Sequence, residues 1–226
     1  MDILDILGPI MVGPSSSHTA GAARIGKIAR MILQAQPQAA DIFFHGSFAE
    51  TYRGHGSDRA VLGGLLGFDP DDERIRDSFA IAKQEGMSYT FHTIELADAH
   101  PNTIVIEARA ADGRRVRVQG VSVGGGNIVI QKINDSKVSF TGEYDTLIVQ
   151  HDDQPGVIAQ VSGVFAAQGI NIAEMRVYRD QRGGRAIMVI DTDGDFPPEM
   201  KNAIEELPHV HKVILIKALR GGSYVD

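Results

Sequence analysis

The chain of 226 residues contains no cysteine. That absence excludes disulfides, cysteine-ligated zinc and a cysteine nucleophile. It also means that the chain cannot by itself hold a metal cluster on thiolates. Long apolar runs are missing too: none approaches the ~20 residues needed to span a bilayer, so no membrane partner is expected. Residues 1–9 carry two acids and no base. They lack the positive region that opens a signal peptide, so the expected compartment is the cytoplasm. Positive charge is in short supply, with 22 Lys and Arg against 29 Asp and Glu and a net charge of -7. A nucleic-acid partner is therefore not expected on electrostatic grounds. Internal repeats and low-complexity linkers are absent.

What remains is ordinary globular material, 43% hydrophobic and 23% charged. The length allows one large domain or two of roughly 100–150 residues. The pattern changes near Thr141-Gly142-Glu143, which suggests domains over residues 1–142 and 143–226. The fold class expected is α+β. In the second region Leu147-Ile148-Val149 reads as a strand. Pro155 suits a first helical position. Val157, Ile158, Val161, Val164 and Phe165 then mark one helix face, and Gly169 stops it. Residues 170–179 and 185–191 read as strands around a turn. Pro197-Pro198 opens a second helix through Leu207, and residues 210–217 close as a strand. The order βαββαβ is the ferredoxin-like arrangement, an antiparallel sheet with both helices on one face.

The first region mixes helices with short alternating strands at 89–93, 103–108, 115–121 and 127–133, as in a mixed or antiparallel sheet. Ala22, Ile25, Ala29, Ile32 and Leu33 form an apolar helix stripe. Lys27 and Arg30 lie off it and read as a solvated face. Just before this helix, Ser15, Ser16, Ser17 and Thr19 place four hydroxyls around His18. Free N–H groups and the positive helix end suit an anion such as a substrate carboxylate. The plainer reading is an N-cap with a polar loop, although a cap needs one hydroxyl rather than four.

A second constellation runs His45-Gly46-Ser47-Phe48-Ala49 and then Gly54-His55-Gly56-Ser57-Asp58-Arg59, after the apolar Ile42-Phe43-Phe44. Its glycines allow close backbone approach to a ligand. His55, between two of them, reads as exposed and mobile, and histidine suits proton transfer near neutral pH. Asp58 reads as the cap of the next helix. His100-Pro101-Asn102 alone is a turn signal. Gly124-Gly125-Gly126-Asn127 lacks the Lys-Ser/Thr of a phosphate loop.

Residues 143–226, through Asp153-Gln154-Pro155-Gly156-Val157-Ile158-Ala159 and Gly169-Ile170-Asn171-Ile172, resemble an ACT domain. That likeness implies self-association by sheet pairing, with or without a bound amino acid. Over the whole chain, four motifs in one order resemble the beta subunits of iron–sulfur-dependent L-serine dehydratases. These are Gly13-Pro14-Ser15-Ser16-Ser17-His18-Thr19, His45-Gly46-Ser47-Phe48-Ala49, Gly54-His55-Gly56-Ser57-Asp58-Arg59 and His100-Pro101-Asn102-Thr103. The first domain also resembles the allosteric substrate-binding domain of some phosphoglycerate dehydrogenases. The resemblance implies a two-chain L-serine ammonia-lyase, a heterodimer in amino-acid catabolism and gluconeogenesis that converts L-serine to pyruvate and ammonia. A 4Fe–4S cluster would be ligated by the partner, the alpha subunit. This chain would supply His18 and His55 for proton transfer or electrostatic positioning. Ser15, Ser16, Ser17, Thr19 and Asn102 would serve as donors to substrate. Which group is the base stays open, and it could lie on the alpha subunit. The competing expectation is a serine-sensing regulatory subunit without catalytic residues.

Overall fold

The computed structural model describes residues 11–194 and 196–219. The N-terminal stretch 1–9, read above for its charge, lies outside the described residues. Contacts divide the chain into two units that meet at Asp135 and Ser136.

The first unit begins with a π-helical turn, Ser16–Ala20, that runs without a break into α1, Gly21–Leu33. It continues through β1 (Pro37–His45), α2 (Ser47–Thr51) and α3 (Ser57–Leu66) to a 3₁₀ turn (Glu73–Asp77) and α4 (Ser78–Gln84). Four strands follow: β2 (Ser88–Ile94), β3 (Thr103–Ala110), β4 (Arg115–Gly124) and β5 (Asn127–Ile133). Their order across the sheet is β2-β1-β3-β4-β5. β1 and β2 are parallel, and the other neighbours are antiparallel. The parallel pair is possible because α2, α3 and α4 form the long crossover it requires. All four expected strands are present, each with the expected residues inside it.

One face of this sheet is apolar, with Ile42, Phe44, Ile104, Ile106, Val118 and Ile130 buried. The α1 stripe of Ala22, Ile25, Ala29, Ile32 and Leu33 is buried as well. Each large aliphatic side chain so covered contributes roughly 1.5–3 kcal/mol. α1 and α3 cross at glycines. A Cβ on Gly64 would sit 2.0 Å from the Ala23 carbonyl oxygen, and one on Gly26 would sit 2.3 Å from that of Val61. Only hydrogen side chains permit so close a crossing, which brings the N-terminal ends of the two helices together. Lys27 and Arg30 are not a free solvated face. Lys27 pairs with Asp69, and Arg30 donates to the Leu65 carbonyl at 3.0 Å, so both tie α1 to the α3 segment.

The second unit holds β6 (Ser136–Phe140), β7 (Asp145–Asp152), α5 (Val157–Ala167), β8 (Ile172–Arg179), β9 (Arg185–Thr192), α6 (Pro198–Glu205) and β10 (Val210–Ile216). Four strands pair antiparallel in the order β10-β7-β9-β8, the ferredoxin-like order. Leu147, Val149, Val157, Val161, Phe165, Met188, Ile190, Met200, Ile204 and Val213 form one core, so both helices lie on one sheet face. Pro155 is not the first helical residue: Gly156, at φ 91°, is the N-cap and α5 starts at Val157. β6 went unread in the sequence, since five residues carry only Val138 and Phe140 as buried alternates.

Candidate functional site

Ser15 is extended, with φ -141° and ψ 120°, and caps the π-helical turn. Its Oγ accepts the His18 backbone N–H at 3.2 Å and lies 3.2 Å from His18 Nδ1. The serine motif is thus not a loop ahead of the helix but its widened first turn. Such single π turns recur at functional sites. The other ring nitrogen, Nε2, lies 3.0 Å from the hydroxyl of Ser47. His18 is therefore bracketed by two serine hydroxyls, one three positions before it and one 29 positions after it.

Ser47 is the first residue of α2, where β1 ends. Gly46 turns the chain there at φ 58°, and a Cβ on it would lie 2.6 Å from the Pro101 carbonyl oxygen. A side chain is barred twice, by the left-handed backbone and by that contact. The same contact brings the His100-Pro101-Asn102 turn against the site. Within the turn, the Asn102 N–H donates to His100 Nδ1 at 3.0 Å, and its carbonyl accepts from the Ser122 N–H at 3.0 Å. Asn102 borders the site through this backbone, with no bond to His18 or His55 among the described residues. His45 accepts the Leu96 N–H at Nδ1 (3.2 Å), which ties the end of β1 to the chain after β2.

His55 stands edge-on to His18, with ring centroids 4.9 Å apart at 67°. Phe48 also stands edge-on to His18, with ring centroids 5.0 Å apart. His55 is held, not mobile: its N–H donates to the Thr51 carbonyl at 3.0 Å, and its carbonyl accepts the Thr19 hydroxyl at 3.1 Å. Its Nδ1 is buried without a hydrogen-bond partner among the described residues, as is the hydroxyl of Ser57. Thr19 is only 2% exposed, and its one hydroxyl proton goes to His55. Ser16 and Ser17 are half-buried in the π turn beside His18. Asp58 does not cap α3; Gly56 does, and Asp58 Oδ1 accepts the Arg59 N–H at 2.8 Å within the first turn.

Burial first, and the neighbouring His55 second, hold the His18 imidazole below the usual histidine range. It is a neutral ring near pH 7, with one nitrogen free of a proton. Burial pushes the Asp58 carboxyl up, against the opposing effect of Arg59 and Arg53. The structure thus gathers Ser15, Ser16, Ser17, His18, Thr19 and His55 in one place, with Asn102 at the border.

The sequence reading carried Ser47 only as part of a motif and Arg24 only as a residue off the helix stripe, and gave neither a role in the site. Ser47 carried a local signal, since a strand end, a glycine and a hydroxyl at a helix start is a recurrent way to aim a side chain. Arg24 carried none. It is buried on α1 and donates through Nη1 to the Gly126 carbonyl at 2.8 Å, pinning the glycine-rich turn of the β4–β5 hairpin. That glycine run is a hairpin turn, in keeping with its lack of a phosphate-loop signature.

Among the described residues a cluster cofactor has no ligand set. There is no cysteine, and no group of three or more His, Asp or Glu is placed to hold a metal among the described residues. No helix among them is long and apolar enough to cross a membrane.

Comparison with known proteins matches residues 2–85 to the family model described as serine dehydratase beta chain and residues 146–209 to the ACT domain. A probable L-serine dehydratase beta chain of Bacillus subtilis (strain 168) is 41% identical over 214 residues, 95% of this chain and 97% of that one. The L-serine dehydratase beta chain of Peptoniphilus asaccharolyticus is 41% identical over 201 residues, 88% of this chain and 90% of that one. A D-3-phosphoglycerate dehydrogenase of Methanocaldococcus jannaschii is 26% identical over 86% of this chain, which spans 37% of that enzyme.

Proposed function

We propose, because the chain belongs to the serine dehydratase beta-chain family, that it is the beta subunit of a two-chain L-serine ammonia-lyase. The enzyme would convert L-serine to pyruvate and ammonia in the cytoplasm. The alpha subunit would carry the 4Fe–4S cluster, since this chain has no cysteine and its described residues hold no metal-ligating group. When bound there, the cluster would supply Lewis-acid assistance to departure of the serine hydroxyl. The remaining work falls to protein groups: gripping the zwitterion, removing the α-proton and keeping bulk water from the reacting atoms.

The observation that carries this reading is the His18–His55 pair, two imidazoles 4.9 Å apart among hydroxyls. A serine-sensing subunit would need donors and a cavity, not a neutral imidazole beside a second one with a buried, unpartnered nitrogen. His18 is ready to accept a proton near neutral pH. His55 Nδ1 is the ring atom that no group among the described residues engages. Ser16, Ser17 and Asn102 supply donors for the carboxylate or acceptors for the amino group. Ser15 and Thr19 join them mainly by fixing His18 and His55. The second domain, which we place at residues 143–226, serves self-association or regulation and contributes no catalytic group.

The test is reconstitution with the alpha subunit. His18→Ala and His55→Ala should each lower kcat/KM by about 100-fold or more. The chain alone, treated anaerobically with iron and sulfide, should show neither a cluster nor turnover. Near-normal turnover in both variants, with altered response to serine, would favour the regulatory reading.

A further inference from the structure

We infer that Ser47 is a positioning residue for His18: its hydroxyl oxygen accepts the Nε2 proton and so fixes Nδ1 as the proton-accepting atom of that ring. This rests on the catalytic reading of His18 given above, and it adds which atom takes the proton and which residue decides it.

The argument is one of donors and acceptors. A neutral imidazole has one N–H and one bare nitrogen. Ser15 Oγ already accepts the His18 backbone N–H at 3.2 Å. Its own proton is then available to the bare Nδ1, 3.2 Å away. The ring proton is left on Nε2, which faces Ser47 Oγ at 3.0 Å and donates to it. Uptake of a proton at Nδ1 needs only a rotation of the Ser15 hydroxyl, while Nε2–H keeps its acceptor. The second shared contact of a histidine commonly sets its tautomer in this way.

Ser47 is built to hold that place. Gly46 is wedged against Pro101 at a φ that favours glycine. The Ser47 carbonyl accepts the Thr51 hydroxyl at 2.7 Å, and the Gly46 carbonyl accepts the Glu50 N–H at 3.2 Å. Phe48, next in the chain, stacks edge-on against the same imidazole. The titratable neighbour whose charge acts on His18 is His55, which opposes protonation. An acceptor on Nε2 offsets part of that opposition, because the imidazolium N–H makes the stronger hydrogen bond.

Removing the acceptor should therefore leave a weaker base. Ser47→Ala, assembled with the alpha subunit, should lower kcat about tenfold with little change in KM. The acid limb of its pH–rate profile should move to lower pH by roughly one unit, since a weaker base is unprotonated down to lower pH. Ser47→Thr keeps the hydroxyl and should restore both. Independently of activity, ¹⁵N NMR of the His18 ring in the full chain should show the proton on Nε2, and in Ser47→Ala a titration displaced downward. A ring proton on Nδ1, or a Ser47→Ala profile and titration like those of the parent, would overturn the inference. Should His18→Ala retain turnover while the Nε2 tautomer and its dependence on Ser47 hold, the catalytic reading fails and the geometric assignment survives.

Discussion

His18 has few options at the residue scale. Its ring lies among two serine hydroxyls, Phe48 and a second imidazole, and burial first and His55 second oppose a positive charge on it. Folding thus depresses its proton affinity below that of the unfolded chain, for which about 6.5 is usual. The sign follows from proton counting: below that value the unfolded chain binds more protons, so acid favours unfolding. The contribution of His18 is intact above about pH 6.5 and is lost as pH falls through its folded-state value. His18→Asn should make urea-unfolding stability less steeply dependent on pH between about 7 and 5. An unchanged slope would mean that the ring is not held neutral by the fold. The residues of this site were legible one by one, because hydroxyls, glycines and histidines in such density are unusual outside sites. Their mutual geometry was not. Ser47 reaches His18 from a distant segment, and Thr19 turns inward to His55, pairings that only the tertiary arrangement decides.

At the scale of elements, the site depends on how closely α1 and α3 approach. Their first turns meet because Gly26 and Gly64 let backbone lie on backbone farther along. A methyl at Gly64 would fall 2.0 Å from the Ala23 carbonyl oxygen and 2.7 Å from the Lys27 nitrogen, and neither atom can yield without moving a helix. Gly64→Ala should therefore destabilise the chain by about 1–3 kcal/mol despite the better helix propensity of alanine. Gly163 in α5 is the internal control: nothing lies within 4 Å of its added Cβ. Gly163→Ala should stabilise by about 0.5–1 kcal/mol. Thermal or urea melts of the two variants read this contrast, and equal effects would refute the crossing argument. Strands of period two and helices of period 3.6 were readable because burial writes its pattern along the chain. The π turn at Ser16–Ala20 was not, since its wider period leaves no apolar repeat of its own. The crossing was not readable either, because two glycines do not announce each other. Pro155 misled for a local reason: Gly156, at φ 91°, takes the N-cap, so the helix begins at Val157, two residues after the start that proline's preference suggested.

For the whole molecule, the question is which unit the chemistry needs. Every residue assigned to the site precedes Thr103, and the second unit closes a core of its own from β7, α5, β9, α6 and β10. Its Leu147, Phe165, Met188 and Val213 bury one another without drawing on the α1–α3 crossing that aligns His18 with His55. Loss of residues 143–226 should then leave the imidazole pair in place. Assembled with the alpha subunit, the shortened chain should retain measurable serine deamination, with a changed oligomeric state or a changed dependence on serine concentration. Size-exclusion chromatography separates the first outcome, and a saturation curve separates the second. Circular dichroism must show that helix and sheet survive the cut. A folded, correctly assembled truncation without turnover would place a catalytic contribution in the ACT unit, against the division of labour proposed above.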